Sequence, residues 1–164
     1  TIHALEQYLP DAASAANPVD VLGDARADRY RFALEEVSKD PNVDGLMVVL
    51  TPQAMTEIEE TAHAVGDIAG KLEKPVLACF MGEAMVEKGI KILREYQVPN
   101  YSFPERASSA FQAMSEYRKI QLREPPEFEQ FDVDNEAVEK VIQGAKQDGR
   151  YAIGDAEAWD ILSA

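Results

Sequence analysis

The sequence contains few of the residue types on which catalysis and covalent cross-linking most often depend. Among its 164 residues there are one cysteine, Cys79, and two histidines, His3 and His63. A single cysteine excludes an internal disulfide and a multi-cysteine zinc site. Gly-Lys-Ser/Thr phosphate loops, HExxH zinc motifs and Gly-x-Ser-x-Gly nucleophile motifs are also absent. We therefore expect no catalytic residue and no metal site here, and we expect Cys79, inside an apolar segment, to be buried and unreactive.

Basic residues are scarce as well. The chain has 16 Lys and Arg against 30 Asp and Glu, which gives a net charge of -14. A surface of that sign repels nucleic acid and anionic lipid, so we expect neither as a partner. No apolar run approaches the ~20 residues of a membrane span, and no secretory signal is visible. These features predict a soluble, cytoplasmic protein, and Thr1 in place of an initiator Met suggests a piece of a longer chain.

Apolar residues are arranged in alternating strand and helix patterns. The continuous runs 46–50 and 76–80 predict strands covered on both faces, which is typical of a parallel sheet. Weaker strands are predicted at 18–22 and, around Pro99, at 98–103, with helices between the strands. The expected fold class is α/β: a flavodoxin-like open parallel sheet of four to five strands with helices on both faces. The five methionines are expected to fill the core.

Four segments follow from composition and pattern. Residues 1–16 form an N-terminal helix and loop, and 17–122 form the α/β domain. Residues 123–133 are acidic and contain Pro125 and Pro126, which predicts a linker. Residues 134–164 show one more helical pattern, followed by the beginning of another.

One strand-to-helix junction suggests ligand binding. The strand 46–50 leads through Thr51, Gln53, Ala54, Met55 and Thr56 into a helix. Ligands of open α/β sheets bind at the carboxyl ends of the strands, and a helix N-terminus there favours phosphate. Backbone N–H groups, the two hydroxyls and the amide are the candidate donors. Because every strand-to-helix junction of such a fold shares this geometry, the spacing of these residues also fits a purely structural role in capping the helix.

Several segments of the sequence resemble the NDP-forming acyl-CoA synthetases, which include the ADP-forming acetate–CoA ligases and are related to succinyl-CoA synthetase. The resemblance extends over roughly 17–122 and lies in the second flavodoxin-like ligase domain. Residues 150–164 resemble the start of the ATP-grasp domain that follows in fused members. The segments that carry the main match are NPVDVLGDA (17–25), DPNVD (40–44), LTPQAMT (50–56), KPVLA (74–78), EKG (87–89) and PERA (104–107).

The resemblance implies a function. The family converts acyl-CoA, ADP and phosphate into acid, ATP and CoA, and a phosphohistidine of a preceding domain carries the phosphoryl group. In that scheme the turn of residues 51–56 helps to bind the phosphohistidine phosphate. The chain alone would be inactive and would bind no cofactor. CoA, ATP or ADP, and Mg are expected for the parent enzyme, with its CoA-binding, phosphohistidine and ATP-grasp domains or subunits as partners.

Two positions depart from the family pattern. Succinyl-CoA synthetase has a glycine pair at the turn, where this chain has Pro52 and Gln53. Proline and glutamine restrict how closely the backbone can approach a phosphate. Arg26 and Ala27 stand where the family has Thr-Pro at the start of the first helix. That exchange is interpreted as a changed helix cap without functional meaning.

Two alternatives remain open from the sequence. The same module occurs in protein lysine acetyltransferases, where it would act as a ligand-sensing regulatory domain. A free-standing flavin-binding electron carrier would need a Ser/Thr-rich first loop, which residues 23–26 do not supply.

His63 is expected not to be the phosphoryl carrier. Its spacing from Val65 places it on the outer side of the helix, near acidic residues that disfavour a phosphorylated ring.

Overall fold

The computed structural model describes residues 1–128 and 132–164. The described residues form two compact units, Thr1–Leu122 and Arg123–Ala164, which are treated separately below. The first unit contains helices α1 (Ile2–Tyr8), α2 (Ala27–Ser38), α3 (Ile58–Ala69), α4 (Glu87–Glu95) and α5 (Pro104–Gln121), strands β1 (Leu46–Leu50) and β2 (Val76–Phe80), and a short 3-10 turn (Glu83–Met85); the second contains α6 (Asn135–Gln147) and α7 (Asp155–Ser163). None of these helices combines the length and the apolar character needed to cross a bilayer.

The sheet is parallel, as its apolar strands predicted. Strands β1 and β2 pair in register from Leu46 opposite Val76 to Leu50 opposite Phe80. All five residues of β2 are buried, whereas β1 alternates, with Met47 39% exposed and Val49 41% exposed. The prediction of coverage on both faces is therefore confirmed for β2 and wrong for β1. Strand β2 has neighbours on both sides within the described sheet, but β1 lies at its edge.

The four to five strands predicted from the sequence are not confirmed, because the segments 18–22 and 98–103 form only isolated bridges in the described residues. At 18–22 the extended backbone ends early, since Leu22 has a φ of 70° and its N–H bonds to the Asp20 carboxylate. At 98–103 the Ala78 N–H bonds to the Pro99 carbonyl, and the Tyr101 N–H bonds to the Ala78 carbonyl. The next hydrogen bond between this segment and β2 involves a side chain, because the Phe80 N–H donates to Asn100 Oδ1 at 2.8 Å.

The main core lies between the sheet and helices α2, α3 and α4, and it includes Leu34, Val48, Leu50, Val65, Phe80 and Leu93. A smaller cluster of Leu5, Leu9 and Ala33 joins α1 to α2. The methionines do not fill the core as predicted: Met47, Met55, Met85 and Met114 are between 39% and 63% exposed. The position of a methionine in a sequence pattern does not show whether another helix or strand packs over its side chain.

In the second unit, α6 and α7 contact each other. Arg150 makes ion pairs with Glu157 and Asp148, and the Glu157 carboxylate also accepts the Gly154 N–H at the start of α7. Of the predicted linker, 123–133, residues 129–131 lie outside the described residues; the others have no regular secondary structure.

Candidate functional site

The five predicted phosphate-binding residues lie on one turn at the carboxyl end of β1. Thr51, Gln53, Ala54 and Met55 are exposed, and Thr56 is half-buried. The turn is closed by two hydrogen bonds: the Gln53 N–H donates to Thr56 Oγ1 at 2.8 Å, and the Thr56 N–H donates to the Gln53 carbonyl at 3.1 Å. The Gln53 N–H, predicted as a phosphate donor, is thus already engaged. Helix α3 begins at Ile58, two residues beyond Thr56.

The free donors of this junction therefore lie in the first turn of α3. The first intrahelical bond at this end runs from the Thr61 N–H to the Glu57 carbonyl. The N–H groups of Ile58, Glu59 and Glu60 precede it, and no described side chain caps the helix. Uncapped N–H groups and the positive end of the helix dipole together attract anions.

Three carboxylates surround this helix start, and two of them are paired. Glu57 lies 3.7 Å from Arg26 and also accepts the Ala27 N–H at 3.2 Å, while Glu59 lies 3.2 Å from Lys88. A hollow of about 220 Å³ at the helix start is lined by Thr56, Glu57, Ile58, Glu59, Glu60, Met85 and Lys88. Pairing reduces the repulsion that these carboxylates would exert on an incoming anion.

A second concave region adjoins the same turn. It is an open cleft of about 440 Å³, lined by Tyr8, Pro10, Asp24, Arg26, Asp28, Arg29 and Met55. Arg29 is fixed by hydrogen bonds to the Val21 carbonyl and to Asp24, and the bond to Arg29 lowers the pKa of the Asp24 carboxyl. The Arg26 side chain is 63% exposed. Arg26 and Met55 thus connect the cleft to the turn.

Gly82 fixes the turn from the neighbouring strand end. The Met81 N–H donates to the Leu50 carbonyl at 2.9 Å, which aligns the two strand ends. Gly82 follows with a φ of 139°, and a Cβ there would lie 2.8 Å from the Pro52 ring. Only glycine accommodates both that backbone angle and that approach without strain. Glycine at position 82 therefore permits the close approach of Pro52 at the start of the turn.

His63 is exposed on α3, as its spacing predicted. Its Nδ1 lies 3.4 Å from the Tyr96 hydroxyl, which donates to Asp67 at 3.0 Å. Asp67 also pairs with Arg31 at 3.2 Å, and the hydrogen bonds from Tyr96 and then Arg31 lower the pKa of the Asp67 carboxyl. Sequence spacing placed Asp67 near His63, but it did not reveal Tyr96, which comes from the end of α4.

The other candidate groups offer little chemistry. Cys79 is buried in β2, and burial raises the pKa of its thiol, so the prediction of a buried cysteine is confirmed. Within residues 1–128 and 132–164, no group of three or more His, Cys, Asp or Glu side chains is placed to hold a metal ion.

Sequence reasoning missed the residues that shape the site from other elements. Arg26, Lys88 and Gly82 contact Glu57, Glu59 and Pro52, respectively, each across about 30 positions of the chain. A basic residue in a strongly acidic chain is a weak signal for such a role, and only the fold shows which carboxylate it meets.

Comparisons with known proteins agree with the family resemblance. The sequence matches the Ligase-CoA domain family over residues 2–121. It is 35% identical over 166 residues to the ADP-forming acetate–CoA ligase I of Archaeoglobus fulgidus, covering 100% of this chain and 23% of that protein. It is 34% identical over 123 residues to the alpha subunit of the ADP-forming acetate–CoA ligase II of Pyrococcus furiosus, covering 73% of this chain and 27% of that subunit.

A solved structure is similar as well. It is the dinucleotide forming acetyl-coenzyme A synthetase 1 of Ca. Korarchaeum cryptofilum in complex with phosphate and ADP, with a TM-score of 0.67 and 30% identity over 76% of this chain and 28% of that chain. The chain therefore spans about a quarter of the length of the relatives it matches. Because the family match extends over most of the chain and the aligned relatives are ADP-forming acid–CoA ligases, the chain belongs to the Ligase-CoA domain family, within the NDP-forming acyl-CoA synthetases.

Proposed function

We propose that this domain helps to bind the phosphate of a phosphohistidine in an ADP-forming acyl-CoA synthetase that acts on acetyl-CoA. The parent reaction is acyl-CoA, ADP and phosphate to acid, ATP and CoA. The observation that carries the proposal is the uncapped start of α3, which directly follows the turn of residues 51–56 at the carboxyl end of β1. The relative from Ca. Korarchaeum cryptofilum was solved with phosphate and ADP, which supports the ligand class.

The donors in this proposal differ from those expected from the sequence. The N–H groups of Ile58, Glu59 and Glu60 would contact the phosphate, while Gln53 and Thr56 hold the turn in shape. Thr51, Ala54 and Met55 are exposed residues of the same turn and would be the further contacts. Phosphate oxygens accept from such groups with strong, charge-assisted hydrogen bonds.

The rest of the catalytic cycle would belong to other parts of the enzyme. CoA-binding, phosphohistidine and ATP-grasp domains or subunits would be the partners of this domain. CoA, ATP or ADP, and Mg would bind there, so the chain alone would have no turnover. We further infer that residues 17–122 are a flavodoxin-like CoA-ligase domain, and that 134–164 are a helix followed, at 150–164, by the beginning of an ATP-grasp domain. The regulatory acetyltransferase alternative draws no support from the reported relatives, which are named as ligases or synthetases.

Two variants at one position test the proposal. Glu59→Ala and Glu59→Pro both remove the carboxylate that pairs with Lys88, but only proline removes the backbone N–H. Glu59 is the second residue of α3 and its N–H precedes the first intrahelical bond, so proline there breaks no hydrogen bond of the helix and α3 should persist in both. Titration with inorganic phosphate at constant ionic strength, followed by ¹H–¹⁵N NMR, should shift the amides of residues 58–60. Glu59→Ala should bind at least as tightly as the unmodified chain, and Glu59→Pro more weakly. Equal affinities of the two variants would contradict the proposal.

A further inference from the structure

The Glu57 carboxylate lies between the starts of two helices. Glu57 immediately precedes α3, yet its Oε2 accepts the Ala27 N–H of α2 at 3.2 Å, and its Oε1 lies 3.7 Å from Arg26 Nη1. The residue preceding α2, Arg26, provides no side-chain cap of its own. Glu57 therefore caps α2 from 30 positions further along the chain.

This contact affects α3, because it draws a negative charge away from the helix that Glu57 precedes. A carboxylate and a phosphate are attracted to the same positive helix end, so a carboxylate over the first turn of α3 would compete with phosphate there. The Glu57 side chain is 38% exposed and that of Arg26 is 63% exposed. Both side chains are therefore partly in contact with solvent.

We infer that Arg26 is a positioning residue for phosphate binding: together with the Ala27 N–H, it holds the Glu57 carboxylate at the start of α2. Although Glu57 lines the hollow at the start of α3, its carboxylate then does not cap the first-turn N–H groups of that helix. This inference rests on the proposed function. It gives a role to Arg26, which with Ala27 replaces the Thr-Pro of the family. The sequence analysis interpreted this replacement as only a changed helix cap. A threonine at that position could cap α2 itself, whereas Arg26 makes the cap depend on Glu57.

The test is a double-mutant cycle with inorganic phosphate as the probe, measured by ¹H–¹⁵N NMR on the chain of residues 1–164. Arg26→Gln should weaken phosphate binding about three- to tenfold, the effect of one misplaced charge in a partly solvated site. Glu57→Gln should tighten binding by a similar factor, because its amide oxygen still accepts the Ala27 N–H without the charge. The double variant should bind as Glu57→Gln does, since Arg26 then has no carboxylate to hold.

Arg26→Lys keeps the charge and should bind phosphate within about twofold of the unmodified chain. Thermal unfolding of each variant checks that a change in affinity is not a loss of fold, and if Arg26→Gln does not fold, the absence of tighter binding by Glu57→Gln overturns the inference. An equal effect of Arg26→Gln with and without Glu57 would mean direct contact with phosphate and would overturn the inference. Unchanged affinity in every variant would overturn it while the proposed function stands. An unmodified chain without phosphate shifts at residues 58–60 would overturn both.

Discussion

Replacing Gly66 with alanine should destabilise the first unit, although the same change stabilises most helices. In a helix interior alanine is favoured over glycine by about 0.8–1.0 kcal/mol. At Gly66, however, an added Cβ would lie 2.3 Å from Cγ of Tyr96 and 2.5 and 2.6 Å from the two Cδ atoms. Carbon atoms prefer separations of about 3.5–4.0 Å, so the ring must move by roughly 1 Å or more.

The displaced ring carries the hydroxyl that donates to Asp67, and that bond would be strained as well. Overpacking of this kind costs about 1–3 kcal/mol, which outweighs the gain in helix propensity. We expect a net fall in the free energy of unfolding of up to about 2 kcal/mol for Gly66→Ala, and in a unit of this size each kcal/mol lowers Tm by roughly 3–6 °C.

The assay is thermal unfolding followed by far-ultraviolet circular dichroism, because the single tryptophan, Trp159, lies in the second unit. Gly70→Ala, at the residue that ends the same helix, is the control, since the nearest neighbour of its Cβ would be the Gly66 carbonyl oxygen at 3.5 Å. That control should leave Tm unchanged or slightly higher. In a Tyr96→Ala background Gly66→Ala should become stabilising. A Gly66→Ala variant as stable as Gly70→Ala would refute the reasoning.

Three further predictions concern single side chains. Thr61 is fully buried, and its hydroxyl has no hydrogen-bond partner among the described residues. Thr61→Val should therefore raise the free energy of unfolding, measured by urea denaturation, by about 1 kcal/mol. Thr61→Ser keeps the hydroxyl and should not raise it. The hydrogen bond from Arg150, followed by that from the Gly154 N–H, lowers the pKa of Glu157 from 4.5 to about 2. The stabilisation of α7 by the Glu157 carboxylate should therefore be complete above about pH 4.5 and be lost as the pH falls through about 2. An NMR titration of the Glu157 side chain measures its pKa, and a midpoint near 4.5 would contradict the prediction. His63→Ala should leave acid-labile phosphoryl labelling of a complete enzyme intact when the enzyme is incubated with radiolabelled ATP, and loss of the label would make His63 the carrier.

Local patterns in the sequence predict the two strands well, because five consecutive apolar residues have few other structures open to them. They do not predict how a strand is covered. Strands β1 and β2 have equally apolar sequences, yet only β2 is buried along its whole length. The number of neighbours that a strand has is a property of the assembled sheet, and no window of five residues contains it.

The candidate site is predictable to a similar extent. The turn of residues 51–56 was located from the strand-to-helix junction, since its position depends only on neighbouring residues. Which N–H groups remain free was not predictable, because the bond from Gln53 to Thr56 depends on the detailed backbone conformation. The contact between Glu57 and Ala27 joins positions 30 residues apart, and no sequence period signals it.

The hydrogen bond between the Phe80 N–H and the Asn100 side chain has a consequence for association between chains. A regular edge strand presents a row of backbone donors and acceptors on which another chain can add a strand. Beside β2 that row is already occupied, because Ala78 pairs with the backbone of Pro99 and Tyr101, and the Phe80 N–H donates to the Asn100 side chain. A strand from another molecule would find these groups of β2 already bonded, so strand addition on that side of β2 is blocked.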